Sequence, residues 1–498
     1  MIKRSLYIGK TWPLHLLLLP LYFIFHAWVR FAGLLNGGDC LIAFIKILAS
    51  ILLVFFIFKL ILKDTSKAAI FSASLGIAYL FFGDIKYTLD QIPLLRTISH
   101  YKVFIPLLIL LIAFIFYRIY KSKQLHNGTL FLNCLLLIYI IIDVIKVLGP
   151  SNVNTGIVKT KLQPVKLTNG PYNIYYLLLD CYPSPSFQQE ILGMTKTNYL
   201  DSSLAGKGFY VIKEPRSNYG NTAFSMASTF GMNYLTALDT INRMDAHHYN
   251  RAMSIVKHSP LFGLLKQNGY TFYNFSIFDI PDHPAMKKDA FLSATTSQIL
   301  FYNTAWDCFK RDLLWQIRPG KKATAAEMIK AQKEFFDPQK VYNIHLLDTL
   351  MKFEPADKQK PFFLYAHVEM PHFPYFFDST GKENPDESIY TDSMITDKKK
   401  FAGYISFANK KAIAIVDHFL QLSGGDDIII VQSDHAIADM DWGRKNNAFR
   451  NYSAFYFPRK DYKQLYEGMS NVNTFRVILN EYFGQQLPLL PDKSFYTK

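Results

Sequence analysis

Five apolar runs crowd the first 150 residues, at 12–29, 41–62, 68–82, 103–117 and 130–148. A bilayer-spanning helix needs roughly 20 mainly apolar residues. The pattern therefore predicts an α-helical membrane domain over 1–150 with about five spans, the third and fourth drawing on their flanks. One such run is as readily a buried helix of a soluble protein, but five in succession are not. Beyond them the pattern changes. Residues 151–171 are polar with few large apolar groups and read as a linker. From 172 to 498, short unbroken apolar runs alternate with helical periodicity. NIYYLLLD (173–180), YTFYNFSI (270–277), PFFLYAHVE (361–369) and DIIIVQSD (427–434) read as buried strands. Helices are expected near 222–232, 254–267, 339–353 and 399–422. A last strand, SAFYFP (453–458), and a helix, NTFRVILNEYFG (473–484), complete the domain. Continuously hydrophobic strands separated by helices imply a mainly parallel sheet covered on both faces.

Charge sharpens this division. The chain carries 54 Lys and Arg against 39 Asp and Glu, and only 19% of its residues are charged, below the roughly 25% of an ordinary soluble domain. Residues 1–150 hold 15 Lys/Arg and five Asp, whereas the remainder is close to balance. A nucleic-acid binder would concentrate its excess on the folded domain. Here the excess flanks apolar runs, so no nucleic-acid partner is expected. Lys3, Arg4 and Lys10, then Lys63 and Lys67, then Arg118, Lys121 and Lys123 fall on one side of the membrane if the N-terminus is cytoplasmic. An odd number of spans then places everything after Gly149 outside the cytoplasm. No small-residue cleavage site follows the first run, which reads as an uncleaved span. Cys181 and Cys308 lie in the outer domain, where pairing is chemically permitted, and two unpaired thiols account for them equally well.

Three pieces carry chemistry. Two strands end in acids, Asp180 and Asp434, with His435 next. Ligands of open α/β sheets bind beyond the carboxyl ends of strands, so these side chains are candidate metal ligands, the alternative being acids that cap the following helix. SNYGNTAFSMASTFGMNYL (217–235) is a small-residue turn opening a helix, with Thr222 near the N-cap. A hydroxyl there sits where backbone N–H groups favour anions, though a plain capping threonine explains the residue too. HVEMPHFPY (367–375) follows a strand and offers His367, Glu369 and His372 to a phosphate, an alcohol leaving group or a metal.

In this order, YYLLLDCYPS, NYGNTAFSMAS, FFLYAHVEMPHFPY and IIIVQSDHA resemble the sulfatase-like branch of the alkaline phosphatase superfamily. The likeness is to its membrane-anchored phosphoglycerol and phosphoethanolamine transferases, including lipoteichoic acid synthase, and runs from about residue 172 to 490. NVNTFRVILNEYFG looks like a further shared stretch. The resemblance implies an α/β/α sandwich outside a bacterial inner membrane. It puts the family's threonine nucleophile on Thr222, and its metal ligands on Asp180, Thr222, Asp434 and His435. The substrate-side histidine of the His-x-Pro motif falls on His372. One divalent cation, Zn²⁺ or Mn²⁺, is implied, with a phospholipid donor, a lipid or glycan acceptor, and a phospho-threonine intermediate. The sequence departs from the family at Cys181 and Ala436, where glycine is usual. It also lacks a histidine within a dozen residues after His435, where ethanolamine transferases carry one. A sulfatase would need Cys-x-Pro-x-Arg, and the lone Cys-x-Pro, beginning at Cys181, has no such arginine. An extracytoplasmic phosphodiesterase using water would employ the same residues, and a non-catalytic membrane scaffold is the remaining alternative.

Overall fold

The computed structural model describes residues 12–31, 35–122, 125–148, 160–164, 171–195, 199–235, 246–288, 295–314, 324–385, 387–390, 397–437 and 445–496. The basic cluster at 3–10, Lys123 and most of the expected linker, Lys159 included, lie outside the described residues. The chain forms two compact units, one of Met1–Asn154 with Ala294–Gly320, the other of Thr155–Ser293 with Lys321–Lys498.

The first unit is helical: α1 (His15–Arg30), α2 (Gly37–Leu62), α3 (Thr65–Leu80), α4 (Phe82–Gln91), α5 (Tyr101–Lys121) and α6 (His126–Leu148). At 1.5 Å per residue, the 26, 21 and 23 residues of α2, α5 and α6 reach about 39, 32 and 35 Å, enough to cross the roughly 30 Å hydrocarbon core. Helix α3 is shorter and continues into α4 after a 61° bend. Among the described residues, three helices are thus long and apolar enough to cross a membrane, four if the bent pair is one span, while α1 has 16 residues. About five spans is therefore a count of apolar helices, not of full-length crossings. Asn36 and Asp64 cap α2 and α3 by accepting the Asp39 and Lys67 N–H groups. Polar side chains join α1 to α6: His26 Nδ1 lies 2.8 Å from Asp143, and His15 Nδ1 lies 3.0 Å from Asn133.

The segment Ala294–Gly320 belongs to this helical unit although strands of the other unit flank it in sequence. Its short helices Thr296–Phe301 and Ala305–Asp312 meet the ends of the long ones. Thr296 Oγ1 accepts the Asn36 N–H (3.0 Å), and Asn303 reaches Asp84 (2.9 Å) and accepts the Gly83 N–H (2.7 Å). Tyr101 donates to Asp312.

The second unit is built on six strands: β1 (Ile174–Leu179), β2 (Tyr210–Val211), β3 (Thr271–Phe275), β4 (Phe362–Val368), β5 (Ile428–Ser433) and β6 (Ser453–Tyr456). Their order is β2-β6-β5-β1-β4-β3. Strands β3, β4, β1 and β5 run parallel, and β6 and β2 add an antiparallel edge. Every residue of β1, β4 and β5 is buried. Because side chains alternate across a strand, both faces of the sheet are covered. Among the described residues its α-helices of eight residues or more are α7 (Pro185–Leu192), α8 (Thr222–Gly231), α9 (Ala246–Lys257), α10 (Pro260–Gln267), α11 (Ala325–Met351), α12 (Lys398–Ser423) and α13 (Thr474–Tyr482). The helix expected at 254–267 is two helices. Ser259 caps the second through the Leu261 N–H, and Pro260 occupies its first turn, where the missing N–H costs nothing.

Candidate metal and phosphoryl-transfer centre

Register brings the strand-end acids together. Leu179 of β1 pairs with Val368 of β4 and with Ser433 of β5. The next residues, Asp180, Glu369 and Asp434, therefore emerge at one level of the carboxyl edge, where open α/β sheets hold ligands. Asp180 and Asp434 are 4% and 0% exposed. Glu369 turns to Lys287, 2.6 Å away.

The chain around Asp434 is heavily tied. Cys181 N–H donates to its Oδ1 (3.2 Å), while Ser225 and Asn471 donate to its carbonyl (2.6 and 3.3 Å). Tyr182 N–H donates to Ser433 Oγ, which donates on to the His435 carbonyl (3.1 and 2.6 Å). Cys181 has a φ of +59°, a left-handed conformation that glycine adopts without the penalty a Cβ brings.

The Thr222 hydroxyl is available for chemistry. Asn221 is the N-cap of α8, its side chain accepting from the Ala223 N–H (3.1 Å), and Thr222 is the first helical residue. Capping thus falls to Asn221, and Thr222 Oγ1 instead faces His435 Nε2 at 3.1 Å. His435 Nδ1 lies 2.7 Å from the Ala436 carbonyl. That carbonyl can only accept, so Nδ1 carries the proton and Nε2 presents a lone pair. The same Nε2 is 3.2 Å from Asp434 Oδ2. Thr222, Asp434 and His435 thus converge, with Asp180 on the adjacent strand.

Two oxygens at the centre, Asp180 Oδ1 and Asp434 Oδ2, are buried without a hydrogen-bond donor among the described residues. Buried carboxylate oxygens normally have partners, so this pair fits a cation. Their titration agrees. Burial and then the charge of Asp180 push Asp434 above the ordinary carboxylate range. Burial opposes ionisation of Asp180 as well, but the charge of His372 and the hydrogen bond from His367 outweigh it and hold its pKa low. With carboxylate, imidazole and hydroxyl donors, Asp180, Thr222, Asp434 and His435 suit Zn²⁺ or Mn²⁺.

Two neighbours adjoin these four, His367, which the sequence offers together with Glu369 and His372, and Cys181. His367, fully buried, places Nε2 3.3 Å from Asp180 Oδ2 and Nδ1 3.1 Å from the Tyr365 hydroxyl. Burial lowers its pKa, but the hydrogen bond and charge of Asp180 raise it further, above the ordinary value. Cys181 Sγ lies 3.7 Å from His435 Nδ1, and one ligand atom each from Asp180, Cys181 and His435 lies within 4.8 Å of the others. All four cysteines are free.

His372 stands in the loop after β4, half-buried, with Nδ1 2.5 Å from the Phe373 carbonyl and 3.4 Å from Gln339 Nε2. Its charge favours ionised Asp180, so the imidazole lies near that carboxylate.

No family model and no curated protein matches the sequence. Among solved structures, the chain is similar to the C-terminal periplasmic domain of EcEptC from Escherichia coli in complex with Zn. The identity is 11%, over 66% of this chain and 87% of that one, with a TM-score of 0.37. It is also similar to the C-terminal periplasmic domain of phosphoethanolamine transferase EptC from Campylobacter jejuni (11%, 65% and 92%, TM-score 0.35). A third similar structure is the phosphonate monoester hydrolase SpPMH from Silicibacter pomeroyi (12%, 65% and 75%, TM-score 0.38). Likeness at these TM-scores places no residue, so the centre rests on its own geometry.

Proposed function

We propose that the chain is a membrane-anchored, metal-dependent phosphotransferase of the sulfatase-like alkaline phosphatase superfamily. In this reading Thr222 takes a phospho-head group, phosphoglycerol or phosphoethanolamine, from a phospholipid and passes it to an envelope lipid or glycan. The observation that carries the reading is the Thr222 hydroxyl, free of capping duty and 3.1 Å from His435 Nε2, next to two buried carboxylates with donorless oxygens.

Asp180, Thr222, Asp434 and His435 would hold the cation. Once bound, a divalent cation supplies Lewis acidity, making the hydroxyl more acidic and offsetting charge on the phosphoryl group. The protein's own contribution is position. Helix α8 starts at Thr222, so its first N–H groups and dipole favour an anionic phosphoryl group at that end. The ties from Ser225 and Asn471 hold Asp434 still, and the Ala436 carbonyl fixes the His435 tautomer, as partners of metal-binding histidines do. Thr222 Oγ bonds to phosphorus as the bond to the lipid alcohol breaks. The hydroxyl proton passes to water, and His372 protonates the departing alcohol. Its Nδ1 faces the Phe373 carbonyl, which leaves Nε2 for that proton. An acceptor hydroxyl then attacks the phosphothreonine. Water in the acceptor's place makes the same centre a phosphodiesterase.

An envelope location is supported by the basic clusters at 63–67 and 118–123, which leave the chain after Gly149 outside the cytoplasm if the N-terminus is inside. Full-length protein in vesicles of labelled phosphatidylethanolamine or phosphatidylglycerol, analysed by lipid and glycan mass spectrometry, tests the reading. The head-group mass should appear on an acceptor, or as free phospho-alcohol for the hydrolase, and vanish in Thr222→Ala. No metal-dependent change in either lipid overturns it.

A further inference from the structure

The strand-end acid Asp180 is followed by a thiol in a backbone conformation that suits glycine. Such a conformation carries a steric penalty for a residue bearing Cβ. The Cys181 N–H is anchored to Asp434 Oδ1 at 3.2 Å, which fixes where the side chain leaves the backbone. The side chain is 5% exposed. Its Sγ lies 3.7 Å from His435 Nδ1, and one ligand atom each from Asp180, Cys181 and His435 lies within 4.8 Å of the others. The disulfide alternative is closed, because the sulfur is free. The donorless oxygens Asp180 Oδ1 and Asp434 Oδ2 independently mark the same space as a cation site.

We infer that Cys181 is a further metal ligand, whose thiolate joins Asp180, Asp434 and His435 and biases the centre toward Zn²⁺ over Mn²⁺. This rests on the metal-centre reading above and deepens it by naming the metal. Donors bonded to Zn²⁺ at about 2.0–2.3 Å stand roughly 3–4 Å apart, so the Asp180, Cys181 and His435 ligand atoms, within 4.8 Å of one another, are about 1 Å from that spacing. A soft sulfur donor favours Zn²⁺, whereas a set of oxygens and one imidazole leaves Mn²⁺ competitive. Binding converts S–H to S⁻, with the proton released to the buffer and no change of oxidation state.

The test uses the full-length protein in detergent, stripped with a chelator and reloaded with Co²⁺, Zn²⁺ or Mn²⁺. The Co²⁺ form should show a near-ultraviolet thiolate-to-cobalt charge-transfer band that Cys181→Ser and Cys181→Gly both lack. Glycine suits the left-handed backbone, so that variant keeps the fold. Calorimetry in two buffers should find one proton fewer released on Zn²⁺ binding by Cys181→Gly than by wild type. Zn²⁺ affinity should fall at least about 100-fold, the upper end of what losing even an outer-shell partner costs, and Mn²⁺ affinity by less than about tenfold. Bound Co²⁺ without the band, or a band that survives in Cys181→Gly, overturns the ligand role and leaves the metal centre standing. Failure of wild-type protein to bind any of the three metals overturns both.

Discussion

The substitution Asp434→Asn should reverse its effect on stability according to whether metal is present. In chelator at pH 8, Asp434 is a fully buried carboxylate whose Oδ2 has no donor and whose neighbour is Asp180. An unmet buried polar group costs about 1–3 kcal/mol, more when charged, and the amide removes the charge while its oxygen can still accept the Cys181 N–H. The metal-free variant should therefore be more stable by about 2 kcal/mol. The sign follows from linkage. Asp434 has a raised pKa in the folded state, so the folded protein binds the extra proton. Stability then falls as pH rises from the ordinary carboxylate range to that raised pKa, and the gain from Asn should disappear toward pH 4. With Zn²⁺ the order changes. A 100-fold weaker site forfeits about 2.7 kcal/mol of ligand stabilisation, enough to leave the variant below wild type. Hydrogen exchange of the slowest amides in β1 and β5 reads the opening free energy of that sheet in the full-length protein. A variant less stable than wild type in chelator at pH 8, or one that gains as much from Zn²⁺, would show that Asp434 is an ordinary structural acid.

Thr222→Ala should cost no more than about 1 kcal/mol of stability yet lower turnover by about 10⁴-fold or more, whereas Asn221→Ala should show the ~1 kcal/mol loss of a helix cap; hydrogen exchange of α8 beside head-group release measures both. Lys287→Met should destabilise the α/β unit by about 3 kcal/mol at pH 8, by stranding a buried charge on Glu369, which is 2.6 Å from Lys287. Burial raises the pKa of Glu369 even with the lysine present, so acidification should recover much of that loss, followed by denaturant titration across pH. Single cysteines at 121 and 159, exposed to an impermeant thiol reagent on intact cells, should label at 159 and not at 121 if the basic clusters set the orientation; the reverse pattern refutes the topology.

Much of this architecture is legible along the chain, for identifiable reasons. NIYYLLLD, PFFLYAHVE and DIIIVQSD announce β1, β4 and β5 because strands buried on both faces need no polar alternation. Their final acids mark the sheet's edge, but their meeting depends on a register that pairs Leu179 with both Val368 and Ser433, and no local pattern encodes that. Glu369 shows the limit, being level with the other two and engaged by Lys287 from a distant loop. The break between α9 and α10 was written in Ser259 and Pro260 but masked by the apolar periodicity continuing across it. The helices of Ala294–Gly320 were hidden because TSQILF and AWDCFKRD are too short and mixed to differ from a surface loop. His367 is visible at the end of PFFLYAHVE beside Glu369 and His372, and strand pairing brings it to Asp180, whereas Cys181 joins the cluster through backbone conformation and in sequence is only a residue beside an apolar run.

Transfer of a phosphoryl group to Thr222 is read most directly from the mass of its own peptide. Full-length protein loaded with Zn²⁺ is mixed with labelled phospholipid, quenched in acid within the first turnovers and digested. The head-group phosphate should appear on the peptide containing Thr222, be removed on adding acceptor or water, and be absent with chelator or in Asp434→Asn. An enzyme that turns over lipid while that peptide stays unmodified, or that keeps wild-type turnover as Thr222→Ala, would contradict that transfer.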